Sequence, residues 1–484
     1  MRILIVNPPH EAIGSRLAGE HLPPLGLLAI AGPLIDAGHD VQLLDADHDN
    51  LKIERIITEI IERKPDALLL GHSGSTSAQP IIEDIVRLVR ERNANIKTVI
   101  GGVFPTFHWS DILRKNPSID YIVLGEGEAT CLNLITALAE GMPLETVNGI
   151  AYRSDGIPTQ TTSAPLIDNL DDYRIAWELM EGYNYTYWGG RKAVVVQFSR
   201  GCPYPCLYCG QSLFWKRWRH RDPQRFADEL EILHKEYGIE VINFADENMS
   251  SQPAVWKEFL EALIAKNLNL ILIGSIRADS IVRDADILHL YKKAGFERFL
   301  LGIEHYDASI LKTINKASSI STDRQAIQLL RQHGILSLAT YAIGFSDERL
   351  GDFYRHLKLL LSYDPDQIQT IFVTPHHWTP YFDAVKEKEV VLTDLRKWDY
   401  KHQVLANKHL SPWIVILCVK LLEVVMQTRP KTLCRLFVHR DARTRKAMQW
   451  YTRIGRRVWF WELYQFFFVT KRTKNKITLG KFWE

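Results

Sequence analysis

The sequence predicts an α/β fold with two parallel βα regions followed by a mainly helical region. Short β-branched runs alternate with helical patterns over residues 1–140 and again over 191–374, whereas residues 375–484 lack this alternation. Strands that alternate with helices form a parallel sheet whose faces are covered by the helices. With 484 residues, 46% of them hydrophobic, the chain can fill more than one core.

The first region, residues 1–140, predicts a doubly wound, Rossmann-like sheet. Ligands of such sheets bind beyond the carboxyl ends of the strands, where glycine lets the backbone approach closely and serine supplies a hydroxyl. The candidate ligand-binding residues at these ends are Ser73, Ser75, Gly101, Gly102, Pro105, Gly125, Glu126 and Gly127. Ordinary βα turns would explain the same residues, so both interpretations stay open on this segment alone.

A linker with a hairpin is predicted over residues 141–190, where the alternation weakens. The second region, residues 191–374, contains about six strand patterns with helices between them and predicts a parallel barrel or partial barrel. The functional end of such a barrel is the carboxyl end of its strands. Residues 375–484 are predicted to form a helical region that binds the substrate.

Three cysteines follow the first strand of the second region in a Cys-x3-Cys-x2-Cys pattern: Cys202, Cys206 and Cys209. Three thiolates on one loop can hold three corners of a cubane iron–sulfur cluster and leave the fourth iron open. Structural zinc would need a fourth ligand, which the neighbouring sequence does not offer. A redox-active pair would usually be Cys-x2-Cys without a third member. The pattern therefore favours a catalytic iron–sulfur cluster.

Composition and charge narrow the class of protein. Lys plus Arg number 59 and Asp plus Glu 57, which gives +2, so we expect no nucleic-acid partner. Six cysteines in so long a chain disfavour a disulfide framework and favour a reducing cytoplasm. The N-terminus lacks the apolar stretch of a secretion signal, and no run reaches the ~18–20 apolar residues that span a bilayer. We expect a cytoplasmic protein, with contact to a membrane surface as the alternative.

The cysteine run resembles that of the radical S-adenosylmethionine (radical SAM) superfamily, whose motif carries an aromatic residue where this chain has Tyr208. The resemblance implies a partial (β/α)6 barrel, a [4Fe-4S] cluster on the three catalytic cysteines, and S-adenosylmethionine on the open iron. It assigns the ammonium group to Asp246 and Glu247, the carboxylate to Ser275 and Arg277, the ribose to Glu304, and the adenine to Ile343 and Gly344. From the residues alone, Arg277 and Glu304 could instead form a salt bridge.

The N-terminal run "PPLGLLAIAGPLIDAGHDVQLLDA" resembles the cobalamin-binding domain that precedes the barrel in one class of these enzymes. The resemblance implies cobalamin as a third cofactor on the strand ends named above. The usual Asp-x-His-x-x-Gly motif, which supplies a lower ligand, is absent; His10 and Gly14 occupy roughly the right loop. Cobalamin without a protein imidazole and a domain that has lost the cofactor both stay open.

The C-terminal phrases "TPHHWTPYF", "WDYKHQVLA" and "AMQWYTRIGRRVWFWE" resemble the family of anaerobic magnesium-protoporphyrin IX monomethyl ester cyclases. The resemblance implies oxidative closure of the isocyclic fifth ring of chlorophylls, with oxygen from water and electrons from a donor such as flavodoxin or ferredoxin. Aromatic faces suit a flat tetrapyrrole and basic groups suit its propionate. The candidate substrate-binding residues are His376, His377, Trp378, Tyr381, Trp398, Lys401 and His402, with Arg456 and Arg457.

Alternatives remain at this point. Trp and Tyr at helical spacing are usually core residues, and "GRRVW" could be a solvated helix end. A cobalamin-dependent radical SAM methyltransferase, acting on a tetrapyrrole or another unactivated carbon, would share both N-terminal domains. A binding regulator with a vestigial cluster is the non-enzymatic alternative. We expect residues 375–484, including the aromatic end from residue 458, to cap the site as a lid rather than rest on a membrane.

Overall fold

A computed structural model describes residues 1–10, 20–72, 76–316, 318–473 and 476–484. Its N-terminal sheet has seven strands: β1 Arg2–Asn7, β2 Asp40–Asp45, β3 Ala67–His72, β4 Lys97–Gly102, β5 Tyr121–Val123, β6 Ile150–Ser154 and β7 Ile157–Gln160. Their order in the sheet is β2-β1-β3-β4-β5-β6-β7, and the first five strands in this order are parallel. The helices of this part are α1 Leu25–Asp36, α2 Ile53–Arg63, α3 Gln79–Arg92, α4 Val103–Lys115 and α5 Gly127–Glu140. The hairpin expected between residues 141 and 190 is β6–β7, and it extends this sheet.

The second sheet has seven strands: β8 Thr186–Tyr187, β9 Arg191–Val196, β12 Val241–Phe244, β13 Ile271–Ile276, β14 Phe296–Glu304, β15 Leu336–Ile343 and β16 Gln367–Phe372. Their order in the sheet is β16-β15-β14-β13-β12-β9-β8. Six of them are parallel neighbours, and β9 does not pair with β16 in the described structure, so the sheet is a half-barrel with an open side. The predicted fold class is thereby confirmed.

Helices cover the outside of the half-barrel. They are α7 Pro223–Lys235, α8 Pro253–Ala265, α9 Ala278–Arg283, α10 Leu288–Ala294, α11 Ala308–Thr313, α12 Ile320–Gln332 and α13 Leu350–Tyr363. The short helix α6 Ser212–Trp215 follows the cysteines and packs through Phe214 against the core of the N-terminal sheet. Side-chain caps define several starts: Asp222 accepts from the Arg225 N–H before α7, whose first residue is Pro223, and Ser319 caps α12. Beneath α7 and α8, Phe198 packs against Phe226 of α7 and against Trp256 and Phe259 of α8. All four side chains are fully buried, and each contributes about 1.5–3 kcal/mol to the stability of the fold.

The C-terminal region is mainly helical, as predicted. Its helices are α14 Pro380–Val385, α15 Pro412–Thr428, α16 Pro430–Phe437, α17 Ala442–Tyr464 and α18 Leu479–Trp483, with one π-helical turn at Gln465–Val469. Helix α15 packs on β16, where Glu423 accepts a hydrogen bond from Thr370, and Tyr451 of α17 donates to the Ile368 carbonyl at 2.7 Å. None of the helices in the described parts of the chain has the length and apolar character to cross a bilayer.

Candidate active site

The cysteine loop is enclosed by a short antiparallel ladder of β10 Ser199–Arg200 and β11 Arg219–His220. Gly201 opens the loop with φ +89°, and a Cβ there would lie 2.3 Å from the Arg217 carbonyl oxygen, so only glycine fits. Main-chain bonds hold the middle: the Leu207 N–H donates to Ile314 O and the Leu207 carbonyl accepts from the Tyr381 N–H, both at 3.0 Å. The loop is therefore preformed between the barrel and the C-terminal region.

The three cysteines of this loop are unpaired and partly buried. Burial raises the pKa of Cys202 to about 11 and also raises the pKa of Cys209. Thiolates disfavoured by burial become stable when a metal binds them. Three free thiols on one rigid loop, without a fourth, fit a cubane cluster with one open iron.

Two acidic residues follow β12, and the structure separates their roles. Asp246 accepts hydrogen bonds from the Phe198 N–H at 3.1 Å and from the Ser199 N–H and Oγ at 2.6 Å, so it fastens the turn before the cysteine loop. Glu247 is partly buried, and its enclosed Oε2 has no hydrogen-bond partner in the described structure. Burial raises the pKa of both to about 7. Glu247 is thus the better candidate for an ammonium group.

Arg277 and Glu304 do not pair with each other. Arg277 binds Asp279 at 2.8 Å and stacks on the Tyr204 ring at 3.5 Å, beside the cysteine loop. Glu304 pairs with Lys316 at 3.1 Å. Their pairing as a barrel salt bridge is therefore wrong, and both side chains lie at strand ends next to the cluster loop.

Glu304 ends β14 in an unusual backbone conformation. Its φ is +65°, and the register with β15 shifts at this point. Gly302 leaves room for the Glu304 carboxylate, because a Cβ at position 302 would lie only 2.6 Å from Glu304 Oε1. A strained residue held by its surroundings is typical of a binding site. Tyr208 lies against this carboxylate, since burial and then the Glu304 charge raise its pKa.

A buried group of three side chains supports the neighbouring strand end, and sequence reasoning missed it. Glu348 Oε2 accepts from the N–H of Gly344, which has φ +91° and packs against Phe372. Glu348 Oε1 lies 3.6 Å from His305 Nε2 and 3.3 Å from His356 Nε2. Glu348 lies close in sequence to Gly344 and His356, but its contact with His305 spans more than 40 positions, so no local motif marks the group.

These three residues could be taken for a metal site. However, His305 Nδ1 accepts the Asp307 N–H at 3.0 Å, which leaves the ring proton on Nε2, facing Glu348. Burial raises the pKa of Glu348, but bonds from His305 and His356 more than compensate and lower it. The group therefore fits an ionised carboxylate that ties the end of β15 to the residue after Glu304.

The carboxyl edge of the N-terminal sheet faces the cysteine loop. Gly102 (φ +106°) and Gly125 (φ +74°) occupy left-handed conformations, and a Cβ at Gly125 would meet no atom within 4 Å, so the edge is open to a ligand. Gly101, Pro105 and Gly127 lie on the same edge. The predicted Ser73 and Ser75 lie outside the described residues.

Glu126, predicted on the same edge, is used differently. It accepts from Arg219 Nη1 at 2.7 Å, from Arg200 Nη1 at 2.9 Å and from the Ile167 N–H at 2.8 Å. Both arginines belong to the ladder around the cysteine loop, so Glu126 joins the two domains rather than presenting a free carboxylate. The signal for this role was the basic residue on each side of the cysteine run.

The "TPHHWTP" segment connects all three parts of the chain. His376 Nδ1 lies 2.8 Å from Thr76 Oγ1, after β3, and its Nε2 lies 2.6 Å from the Tyr400 hydroxyl. Trp378 donates from Nε1 to the Gly210 carbonyl at 3.1 Å, at the end of the cysteine loop. Burial lowers the pKa of His376 to about 3, so this imidazole is neutral. His377 is exposed, and its ring stacks on Trp483 with 4.9 Å between the ring centroids.

Three other predicted substrate residues, Trp398, Lys401 and His402, have their partners inside the protein. Trp398 is fully buried against Phe482 and Trp483, so its ring packs in the core and offers no free face; the prediction of stacking on a substrate is wrong for this residue. Lys401 pairs with Glu462 at 3.3 Å and His402 with Asp399 at 2.9 Å. Both line a small cleft with Phe372, Ile416, Phe466 and Arg472. Arg456 and Arg457 are exposed on α17.

Two family models match the chain. Residues 13–135 match the B12 binding domain, and residues 196–360 match the radical SAM superfamily. These matches cover the edge of the N-terminal sheet and the cysteine loop described above. They confirm the two domain resemblances predicted from the sequence.

Curated relatives and a solved structure agree with the models. The chain is 55% identical over 483 residues, 97% of the relative's length, to the anaerobic magnesium-protoporphyrin IX monomethyl ester cyclase of Synechocystis sp.. It is 33% identical to the enzyme of that name from Rubrivivax gelatinosus, covering 83% of this chain and 72% of the relative. The structure of the cobalamin-dependent S-adenosylmethionine radical enzyme OxsB, with aqua-cobalamin and S-adenosylmethionine bound, aligns over 95% of this chain and 72% of that one, with TM-score 0.71 and 18% identity.

Proposed function

Because the chain belongs to the family of anaerobic magnesium-protoporphyrin IX monomethyl ester cyclases, we propose that it closes the isocyclic fifth ring of (bacterio)chlorophyll without molecular oxygen. The substrate is magnesium-protoporphyrin IX 13-monomethyl ester, and water supplies the oxygen. The observation that carries the proposal is the bridge made by His376 and Trp378, which joins the edge of the N-terminal sheet to the cysteine loop. A cofactor on that edge and a cluster on that loop would then face one shared substrate space.

The residues present fit the three cofactors of this chemistry. Cys202, Cys206 and Cys209 would hold the [4Fe-4S] cluster, and the sheet edge with the open backbone at Gly125 and the positive φ at Gly102 would receive cobalamin. S-adenosylmethionine would lie across the strand ends at Glu247, Ser275, Arg277, Glu304, Ile343 and Gly344. When bound and reduced, these groups supply the radical that removes hydrogen from the methyl propionate arm.

The protein's own contribution is positioning and charge. Neutral His376 brings no positive charge into the space next to the cysteine loop. The indole of Trp378, bonded to Gly210 O and parallel to the Phe107 ring at 5.8 Å, fixes the wall between the two domains. Lys316 pairs with the Glu304 carboxylate, so the uncharged ribose of S-adenosylmethionine would contact an ion pair and not an isolated charge. Such fixed placement of the reacting carbon is what a radical reaction requires of its protein.

Further partners follow from the proposed reaction. A tetrapyrrole is the substrate, and a one-electron donor such as flavodoxin or ferredoxin must reduce the cluster from outside. We propose a cytoplasmic location and no nucleic-acid partner. Contact with a membrane surface is argued separately below.

The experiment that tests the function is a product mass measurement. The anaerobically reconstituted enzyme is incubated with S-adenosylmethionine, cobalamin, reductant and the porphyrin ester. Cyclisation adds one oxygen and removes four hydrogens, and labelled water should place its oxygen in the product. A product heavier by one methylene unit would instead identify the second candidate, a methyltransferase, which has less support because both relatives above carry the cyclase name. Production of neither 5′-deoxyadenosine nor a new porphyrin would favour a binding regulator.

Cobalamin is expected to bind with its lower base displaced from cobalt and with no imidazole in its place. The reason is that the Asp-x-His-x-x-Gly motif is absent and that His10 Nδ1 lies 2.9 Å from the Pro8 carbonyl at the end of β1. Electron paramagnetic resonance of the cobalt(II) form reports nitrogen coupling from a lower ligand directly. Nitrogen coupling that disappears in His10→Ala would contradict this expectation and identify the ligand.

A further inference from the structure

The charge of the chain is unevenly distributed. Residues 411–473 contain thirteen Lys and Arg but three Asp and Glu, a formal charge of +10, whereas the whole chain carries +2. The remaining residues therefore carry −8. A balanced total thus hides a strongly basic segment, which comprises α15, α16, α17 and the π-helical turn.

The acidic residues of this segment are all engaged in internal contacts. Glu423 binds the buried Lys420 at 2.7 Å, and Glu462 pairs with Lys401 and with Lys420. Asp441 caps the start of α17. Some of its cations are also paired, since Arg429 and Arg435 bind Asp364 and Arg443 binds Glu297 of the barrel. The exposed Arg453, Arg456 and Arg457 of α17 make no ion pair in the described structure, so this row gives the outer surface its positive charge.

One face of α17 carries first cations and then aromatic rings. Its exposed residues recur at helical spacing. They are Arg453, Arg456, Arg457, Phe460, Trp461 and Tyr464, and the π-helical turn adds Phe467 and Phe468. Phe468 is 79% exposed. Aromatic rings beside arginines are typical of a helix that lies in the interface of a bilayer.

Helix α15 presents an apolar stripe beside this face. Its exposed residues are Trp413, Leu417, Leu421 and Val424. The two helices are neighbours, because Lys420 pairs with Glu462 and its carbonyl accepts from Trp459 Nε1 at 3.4 Å. Of 21 large exposed apolar residues in the described structure, 13 lie in residues 411–473. So dense a patch marks an interaction surface.

We propose that the outer face of α15 and α17 docks on an anionic lipid bilayer. The arginine row would meet lipid phosphates, and the aromatic rings would enter the boundary between headgroups and acyl chains. A second copy of the chain fits less well, because a two-fold contact would bring the two rows of Arg453, Arg456 and Arg457 together. This surface does not depend on which reaction the site performs, although it suits an apolar porphyrin ester.

The test is sedimentation of the reconstituted enzyme with lipid vesicles, one set of phosphatidylcholine and one with about 30% phosphatidylglycerol. The enzyme should sediment with the anionic vesicles and be released by high salt. The variants Arg453→Glu/Arg456→Glu/Arg457→Glu and Phe460→Ser/Trp461→Ser/Phe468→Ser should each lose about tenfold or more in partition. The matched controls Arg92→Glu and Ile157→Ser change exposed residues of the N-terminal part and should bind as the parent does.

Each result decides the proposal. Parent protein that stays in the supernatant with both vesicle sets would overturn it, and so would variants that sediment as well as the parent. A dimer that the same substitutions dissolve, without vesicle binding, would show that a second copy covers the face. Iron per chain in the surface variants at the parent value, measured without lipid, shows that the cluster loop and barrel are intact, so loss of vesicle binding is separable from loss of the proposed function.

Discussion

Replacing Cys206 with Ala is expected to reduce S-adenosylmethionine cleavage to background while the chain stays folded. The cluster has three protein ligands, and loss of one leaves a second iron without a thiolate. The loop itself survives, because main-chain atoms of its centre make the bonds to Ile314 and Tyr381. Cleavage is measured as 5′-deoxyadenosine formed under anaerobic reduction, and iron per chain is measured on the same sample.

The other cysteines provide matched controls. Cys131 is buried in α5, and Cys418 and Cys434 lie in α15 and α16. Their replacement by Ala or Ser should leave both iron content and cleavage near the parent values, since Cys131 is a packing residue and Cys418 and Cys434 lie on helices outside the cysteine loop. Cleavage at the parent rate in Cys206→Ala would sink the cluster assignment, whatever the iron content.

Features that depend on neighbours in sequence were predictable. The alternation of strands and helices defined both sheets, and the cysteine run located the cluster loop, because each is a local pattern of residue types. Glu304 was expected at a strand end beside the cluster loop, since parallel strand ends meet at one edge, and it lies next to Tyr208 of that loop. The sequence could not show that Glu348 stands between His305 and His356, because that contact depends on how two strands and α13 pack.

In the C-terminal region, residue type, spacing and the net charge of the whole chain did not predict which side chains are exposed. Trp398 and Phe460 are both aromatic and both near basic residues, yet the first is fully buried and the second is 67% exposed. The lid expected from the C-terminal region stays a prediction, and the exposed residues of 460–469 face solvent. The total charge of +2 also concealed the basic segment. Only the packing of α15 against α17 decides which face of each helix points outward.

Arg219→Ala is expected to destabilise the protein by about 3–5 kcal/mol, because it leaves a buried carboxylate without its main partner. Arg219 is 5% exposed and binds Glu126, the Ile167 carbonyl at 2.6 Å and the Trp215 carbonyl at 3.3 Å. Arg217→Ala is the control, since its ion pair with Asp168 is exposed and should contribute about 0–1 kcal/mol. Urea unfolding measures the difference in the free energy of unfolding, with the transition of each domain followed separately. Equal effects of the two substitutions would contradict the assignment.

The acid dependence of stability gives this prediction a second, independent readout. Burial tends to raise the pKa of Glu126, but the bond from Arg219 and the charge of Arg200 lower it below its usual value. A carboxyl group whose pKa is lowered by folding stabilises the fold above its unfolded pKa, and that contribution is lost as pH falls through the folded pKa. Without Arg219 the pKa of Glu126 rises toward its unfolded value, so this carboxyl contributes less pH-dependent stability in Arg219→Ala than in the parent. The difference in the free energy of unfolding between the parent and Arg219→Ala should therefore shrink as pH falls through the folded pKa of Glu126, whereas the small difference between the parent and Arg217→Ala should change little. Because Arg219 and Arg200 flank the cysteine loop and share one carboxylate of the N-terminal domain, a pH-dependent difference confined to Arg219→Ala would show that this charged contact stabilises the junction between the cluster loop and that domain.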